Sequence, residues 1–548
     1  MRPGSCQDGP GSGHSEEVID TMRSLIPGSQ MVRWALVLLL AVTVSYPAVA
    51  AGGQAEEKVL TGGFDVGPGG CAECFNPLQA GAGFTWLEKY FSTLVLYNVE
   101  LTEIQGELAE SWEVSDDGLR YTLHLQEGVT WHDGEPFTSE DVRFTIMTAK
   151  DPESASWIGE KFTGVVDVET PDDLTAVLVL EEPDAAIIDA LTFLVMLPEH
   201  ALSDMTPAEL ATSDWWRTNP IGTGPFKWSN YQEGQFVELV AYDDYWRGRP
   251  NIDRIVNRYF PEAGSAVLAL RSGEIQFTYL TADEAADLEG EAELTVIAGP
   301  SLVANVITWN HLVEPYNDPR IRQAWMYAID EDAIVESLFA GSATNIPCIF
   351  SSEQYIPEGL ADYPYDPDMA RQLLEEAGWS QDGPIEFFTY YDDQLSNDVM
   401  LTIQQFLADV GVEVDIRVMD VPSFTERVNT TEDWHVFYGG AGNGPDPAIT
   451  RAYFHSEAFP PNGVNRARYA NPQMDELYDA GQVEADPEAR AAIYQDACAL
   501  QQEEAPWGFL WVSDRFGAVS NDVENFVWTP APGGGRYYDA AHEWDIAS

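Results

Sequence analysis

The sequence predicts an α/β protein of more than one domain, and two stretches together with the chain length carry that prediction. From Leu302 to Gly341 a mostly apolar, β-branched run, Val303-Ala304-Asn305-Val306-Ile307-Thr308-Trp309-Asn310, has the length of a buried strand and feeds a pair of helices. From Asp366 to Tyr438 strand and helix patterns alternate, which implies βαβ units and a largely parallel sheet. A chain of 548 residues has room for about three or four units of roughly 150 residues each.

The start of the chain reads as an export signal. Met31-Val32-Arg33 opens a basic segment, Trp34 to Val44 is an apolar core too short to span a bilayer comfortably, and Ala48-Val49-Ala50 is a cleavage site. A mature chain starting at Ala51 outside the cytoplasmic membrane, periplasmic or extracellular, is therefore expected. Residues 1–30 read as an upstream extension, and no Cys follows the cleavage site to carry a lipid anchor.

Past that signal, Ser115-Asp116-Asp117-Gly118 is a hairpin turn. Its return strand puts Tyr121, Leu123 and Leu125 on one face, and Thr138-Ser139-Glu140-Asp141 opens a helix with a capping box. His132-Asp133 could be read as metal ligands, but the surrounding Trp131-His132-Asp133-Gly134 favours a turn with a satisfied imidazole. Asn219 to Lys227 looks like a phosphate loop without its Gly-Lys-Ser/Thr ending, so that reading fails. In the central stretch Asp318 suits an N-cap and Pro319 the first helical position. Ile321, Ala324, Trp325, Ala328 and Ile329 then form one apolar helical face, Asp330 caps a second helix and Gly341 ends it.

Further on, Asp366-Pro367 caps a helix that Gly378 stops. Glu386–Tyr391, Val412–Val418 and Trp434–Tyr438 read as strands around a helix from Val399 to Val410. The last strand runs into a glycine-rich loop, Gly439 to Pro447. Its Gly440-x-Gly442 is no dinucleotide fingerprint, because Pro445 takes the third glycine's place; the carboxyl end of a strand is nonetheless where open α/β sheets bind ligands. Cys71-x-x-Cys74 lacks a second close pair for zinc, so a structural disulfide among Cys71, Cys74, Cys348 and Cys498 is the favoured reading, with the pairing open.

Several segments in order resemble one family. Leu108-Ala109-Glu110-Ser111-Trp112, Trp131-His132-Asp133-Gly134, Phe137-Thr138-x-Glu140-Asp141-Val142 and Gly222-Thr223-Gly224-Pro225-Phe226 come first. Asn317-Asp318-Pro319-Arg320-Ile321-Arg322-Gln323-Ala324 and Tyr327-Ala328-Ile329-Asp330 follow. Together they are similar to the family 5 extracytoplasmic solute-binding proteins, capture subunits of import ATPases for peptides, nickel and some oligosaccharides.

The resemblance implies a two-lobed periplasmic-binding-protein type II fold, α/β in class, with an extra subdomain in the first lobe. Lobe I would comprise 51–96, 221–304 and 516–548, the extra subdomain 97–220 and lobe II 305–515, after the upstream extension and signal peptide of 1–50. It places ligand against Phe75 and Asn76 and against Tyr390, Tyr391, Asp392, Gly440, Ala441, Gly442, Asn443 and Asp446, with Trp309 and Asn310 at the hinge. In its dipeptide-binding branch an Asp takes the solute's amine and an Arg its carboxylate. Asn443 and Tyr390 fall near those positions, so both charged partners look absent here.

A monomer is expected that captures a small solute by hinge closure and delivers it to ABC permease subunits, with no cofactor and no metal. Peptide is the default and oligosaccharide the alternative. A secreted hydrolase is the rival from another class, but there is no Gly-x-Ser-x-Gly elbow and no His-Glu-x-x-His helix.

The charge balance excludes one class of partner and suggests a habitat. With 27 Lys+Arg against 91 Asp+Glu, the net charge of −64 repels phosphate backbones and argues against nucleic-acid binding. Lysine occurs only at Lys58, Lys89, Lys150, Lys161 and Lys227. Such a surface suits a salty, halophilic setting, where the Debye length shrinks to about 3 Å at 1 M and self-repulsion is screened. The melting temperature should therefore rise from dilute buffer to molar NaCl, as measured by differential scanning calorimetry; a flat or falling curve would refute the expectation.

Overall fold

The computed structural model describes residues 57–64, 75–79, 89–260, 264–360, 363–460, 463–529, 537 and 539–547. The signal segment of 1–50, Cys71 and Cys74 lie outside these residues.

Two long strands run through the whole fold. Leu294–Trp309 and Trp507–Ser520 pair antiparallel along nearly their full lengths, from Leu294 opposite Ser520 to Thr308 opposite Trp507. Around them one mixed sheet of eleven strands assembles. On one side Trp507–Ser520 carries Phe277–Leu280, and beyond it stand Val59–Phe64, Arg254–Tyr259, Phe236–Ala241 and Phe226–Gln232. On the other side Leu294–Trp309 carries Val436–Gly442, then Ile385–Thr389 and Val414–Val418. Ala343–Asn345 pairs with the 511–513 portion of the second long strand.

The central strand is twice the length its apolar run suggests. Only 304–309 is continuously buried; the 294–300 half is part-exposed and pairs with 514–520, so it lacks the unbroken apolar signal of a fully buried strand. The expectation of a largely parallel sheet also needs correction. Ile385–Thr389 runs parallel to both Val414–Val418 and Val436–Gly442, and Val59–Phe64 parallel to its two neighbours, but the crossing strands are antiparallel to what they touch. A third difference is that Gly439–Gly442 is strand rather than loop. Its glycines are held extended by pairing with Val303–Val306.

The local signals otherwise produce the elements they predict. Asp318 accepts from the Arg320 amide at the start of helix Pro319–Ala328, and Ile321, Ala324, Trp325 and Ala328 are buried. Trp325 packs edge-on between Trp309 and Phe387, with ring centroids 6.0 Å from each. Asp330 and Asp366 cap Glu331–Leu338 and Pro367–Glu376. Cys348 is disulfide-bonded to Cys498 across 150 residues, tying a loop to the helix Pro487–Glu504. In a chain-entropy account so long a loop is where a cross-link constrains the unfolded state most, by a few kcal/mol.

Residues 109–180 form a separate four-stranded antiparallel sheet covered by helix Ser139–Lys150, whose capping box at Thr138 and Asp141 is present. Tyr121, Leu123 and Leu125 are its buried face. The turn bearing His132 docks on the Gly222–Pro225 turn. His132 Nε2 lies 2.9 Å from the Gly224 carbonyl, its Nδ1 accepts from the Gly222 amide at 3.2 Å, and its own amide donates to the Gly222 carbonyl. Gly222 must be glycine, since a Cβ there would lie 1.7 Å from the Tyr90 carbonyl oxygen. His132 is thus a satisfied ring that joins two loops.

Burial, aided by Lys227, holds the His132 imidazole down at about 3 against the ordinary 6.5. With a folded pKa below the unfolded one, the unfolded chain takes up the proton first. The stability tied to the neutral ring is complete above about pH 6.5 and drains away as pH falls toward 3. His132→Gln should therefore be less stable at pH 8 and flatten the decline between pH 6 and 4 by about 1.4 kcal/mol per pH unit. Urea unfolding at each pH measures this, and an unchanged slope would show that the ring is not buried neutral.

Candidate functional site

The sheet's strand directions place the cleft. On Trp507–Ser520 the outer neighbour changes from Ala343–Asn345 at 511–513 to Phe277–Leu280 at 516–519, leaving Asp514 and Arg515 between the two halves. On Leu294–Trp309 the pairing is irregular between Pro300 and Ala304, and the outer neighbour begins at Val303, opposite Gly442. Here the parallel strands of both halves end: Ile385–Thr389 and Val436–Gly442 on one side, Val59–Phe64 and Phe277–Leu280 on the other. Carboxyl ends of strands in open α/β sheets are where ligands bind.

Several expected residues gather at this edge. Tyr390 and Tyr391 follow strand Ile385–Thr389, with rings 4.6 Å apart. The Gly440 amide donates to Tyr390 Oη at 3.0 Å. A Cβ at Gly440 would stand 2.3 Å from Tyr391 Oη and 2.9 Å from Val303 Cγ1, so any larger residue would displace those side chains. Burial, then the neighbouring Tyr390, pushes the Tyr391 phenol far above its usual range, so it stays neutral. Ala441 is buried opposite Ala304, while Gly442 is exposed and its carbonyl accepts from Tyr453 Oη at 2.9 Å. Asn443 is buried: its amide N–H donates to the Leu302 carbonyl, its Nδ2 donates to the Ile349 carbonyl at 2.6 Å, and its Oδ1 has no hydrogen-bond donor. Asp392 is exposed beside them.

Other expected residues are committed to the scaffold. Phe75 is a core side chain packed edge-on against Trp228 and Tyr231. The Asn76 amide donates to the Leu210 and Ala211 carbonyls, and its Oδ1 accepts from Leu78. Asp446 spends its carboxylate on Arg490, at 2.7 and 2.8 Å, and on the Ala448 amide. Trp309 and Asn310, expected at the hinge, lie inside one half. Trp309 pairs with Val436, and the Asn310 amide group donates to the Glu432 and Trp434 carbonyls. The change of pairing partner falls instead at 300–303 and 514–515.

A cavity of about 760 Å³ opens between the 160–190 and 448–483 segments. Glu160, Glu182 and Asp184 line one wall and Glu457 and Asp479 the other, with Lys161 and Arg451 as cations. The Ala185 amide donates to the Gln482 carbonyl at 2.7 Å across this boundary. Nearby, Asp189 is raised by burial and by Asp446, and accepts from Tyr97 Oη at 2.6 Å. Among the described residues no group of three or more His, Cys, Asp or Glu could hold a metal ion, and no helix is long and apolar enough to cross a membrane.

Sequence reasoning missed Tyr453 and Arg466, which reach this edge from beyond the glycine-rich segment. Burial pulls the Arg466 guanidinium below its usual range; its Nε donates to Asn429 Oδ1 at 3.1 Å and its guanidinium lies 5.9 Å from the Phe424 ring centre. Nothing in their local pattern marks them.

Two halves sharing one sheet, with a cleft over the crossing strands, define a two-lobed α/β binding protein of periplasmic type II. A nearly full-length likeness supports that class: a substrate-binding protein of an ABC transporter, CtaP of Listeria monocytogenes, superposes with TM-score 0.81 at 24% identity, covering 90% of this chain and 100% of its own. AppA of Bacillus subtilis, solved with a nonapeptide, does so with TM-score 0.74 at 25% identity and the same coverage.

The profile of the bacterial extracellular solute-binding proteins, family 5, middle part, matches residues 103–460, and the chain belongs to that family. A Brucella melitensis protein that carries the name of an ABC transporter peptide-binding protein is 42% identical over 507 residues, 91% of this chain and 95% of its own. The glutathione-binding protein GsiB of Salmonella paratyphi A is 29% identical over 439 residues, 79% and 85% of the two chains. These are transport solute-binding proteins, not enzymes, which sets the hydrolase reading aside.

The Asp446–Arg490 pair anchors the segment beneath the glycine-rich strand end. Arg490→Met should cost about 3–5 kcal/mol, because it leaves a part-buried carboxylate without its cation. Chemical denaturation measures the loss, and a change below 1 kcal/mol would show that the pair is solvent-screened.

Proposed function

We propose that the protein captures a peptide-like solute between its two lobes outside the cytoplasmic membrane and delivers it to ABC permease subunits. The observation that carries this reading is the cleft floored by 300–303 and 514–515, where the strand ends of both halves converge. The names of the 42% and 29% identical relatives and the nonapeptide complex of AppA support a peptide over other solutes. The lobes are 51–96, 221–304 and 516–548 with the subdomain 97–220, against 305–515. They close as rigid bodies about the crossing segments, and closure needs a solute that touches both. The mature chain begins at Ala51 and acts as a monomer.

A pool of tri- to hexapeptides should raise the melting temperature by mass action, about 2.7 kcal/mol at a hundredfold excess over Kd, and be recovered unchanged by mass spectrometry. A melting temperature unmoved by peptides but raised by α- or β-linked disaccharides would replace the peptide with an oligosaccharide.

A further inference from the structure

Helix Pro487–Glu504 grips the segment that follows strand Val436–Gly442, and the ion pair of Arg490 with Asp446 is only the charged part of that grip. About three turns further along the same helix face stands Gln501, fully buried. Its Oε1 accepts from the Ile349 amide at 3.1 Å, and its Nε2 donates to Tyr478 Oη at 3.2 Å. A backbone N–H can only donate, so the first contact fixes which end of the side-chain amide faces which partner.

Both ends of Gln501 lead to the cleft segment. On the first side, the Ile349 carbonyl accepts from Asn443 Nδ2 at 2.6 Å, and the nearby Ser351 hydroxyl donates to the Gly444 carbonyl at 2.9 Å. On the other side, the direction of each bond follows from a carbonyl that can only accept. Thr450 Oγ1 donates to the Pro447 carbonyl at 2.7 Å, so it accepts from Tyr478 Oη at 2.7 Å. Tyr478 Oη is then left to accept from Gln501. Residues 443–447 are thus held at both ends by one neutral amide. Cys498, about one turn before Gln501, is bonded to Cys348, the neighbour of Ile349, so a covalent link keeps that loop within reach. No charge takes part in this chain of bonds, and salt that screens the rest of so acidic a molecule leaves it intact.

We propose that Gln501 is a positioning residue of the solute site, which sets residues 443–447 in place before the solute arrives and so raises the affinity for it. This rests on the reading above, in which Asn443 borders the solute cleft. A segment already ordered loses less freedom on binding, so affinity rises without a new contact.

Two variants of the full chain test this: Gln501→Leu, which removes both bonds, and Thr450→Val, of nearly the same shape, which breaks only the second route. Hydrogen–deuterium exchange without solute should run about tenfold faster across 440–448 in both, with helix Pro319–Ala328 unchanged. Equilibrium dialysis against the tri- to hexapeptide pool, read by mass spectrometry, should show peptides held about three- to tenfold more weakly by both variants, the net worth of one neutral hydrogen bond. Exchange that stays slow across 440–448 overturns the inference, and so does exchange that quickens equally in helix Pro319–Ala328, which is general loosening. Unchanged peptide affinity in a variant whose 440–448 segment has quickened overturns it as well. Should Gln501→Leu fail to fold, Thr450→Val decides alone by the same outcomes. Wild type that retains no peptide overturns the peptide reading, and the exchange result still decides whether Gln501 positions the segment.

Discussion

The antiparallel pairing of Leu294–Trp309 with Trp507–Ser520 is the constraint on which the rest of the structure depends. Because both strands run from one half into the other, a single sheet serves two cores. One gathers around Trp131, Phe226 and Leu239, and another around Trp309, Trp325 and Phe387. A helix or loop linker would let the halves tumble; a pair of strands lets them bend at one place. That place is where the ladder thins, at Pro300–Leu302 and Asp514–Arg515, where among the described residues no outer strand flanks either crossing strand.

A second constraint is the treatment of charge. An acidic surface of this density gains little from individual ion pairs, most of which are exposed and worth under about 1 kcal/mol. The Asp446–Arg490 pair differs: it is bidentate, largely buried, and also caps the short turn at Pro447. Asp189 is pushed toward the protonated acid by its burial and then by the negative charge of Asp446. At the strand end, Asn443 Oδ1 is one of several buried polar atoms without a hydrogen-bond partner among the described residues.

What the sequence by itself determined were features with short-range causes. Asp318-Pro319, Asp366-Pro367 and the Thr138–Asp141 box start their helices because a cap needs only the next three residues. The face of Tyr121, Leu123 and Leu125 follows from a period of two. The order of such segments sufficed to recognise the family. The tertiary structure decided what depends on distant partners. The central strand doubles in length because 514–520 is there to pair with its part-exposed half, and Gly439–Gly442 is strand because Val303–Val306 lies alongside. Cys348 meets Cys498, and Asp446 is taken by Arg490. No local period or cap encodes these meetings, since each joins residues 44 to 150 positions apart whose proximity exists only once the sheet has closed.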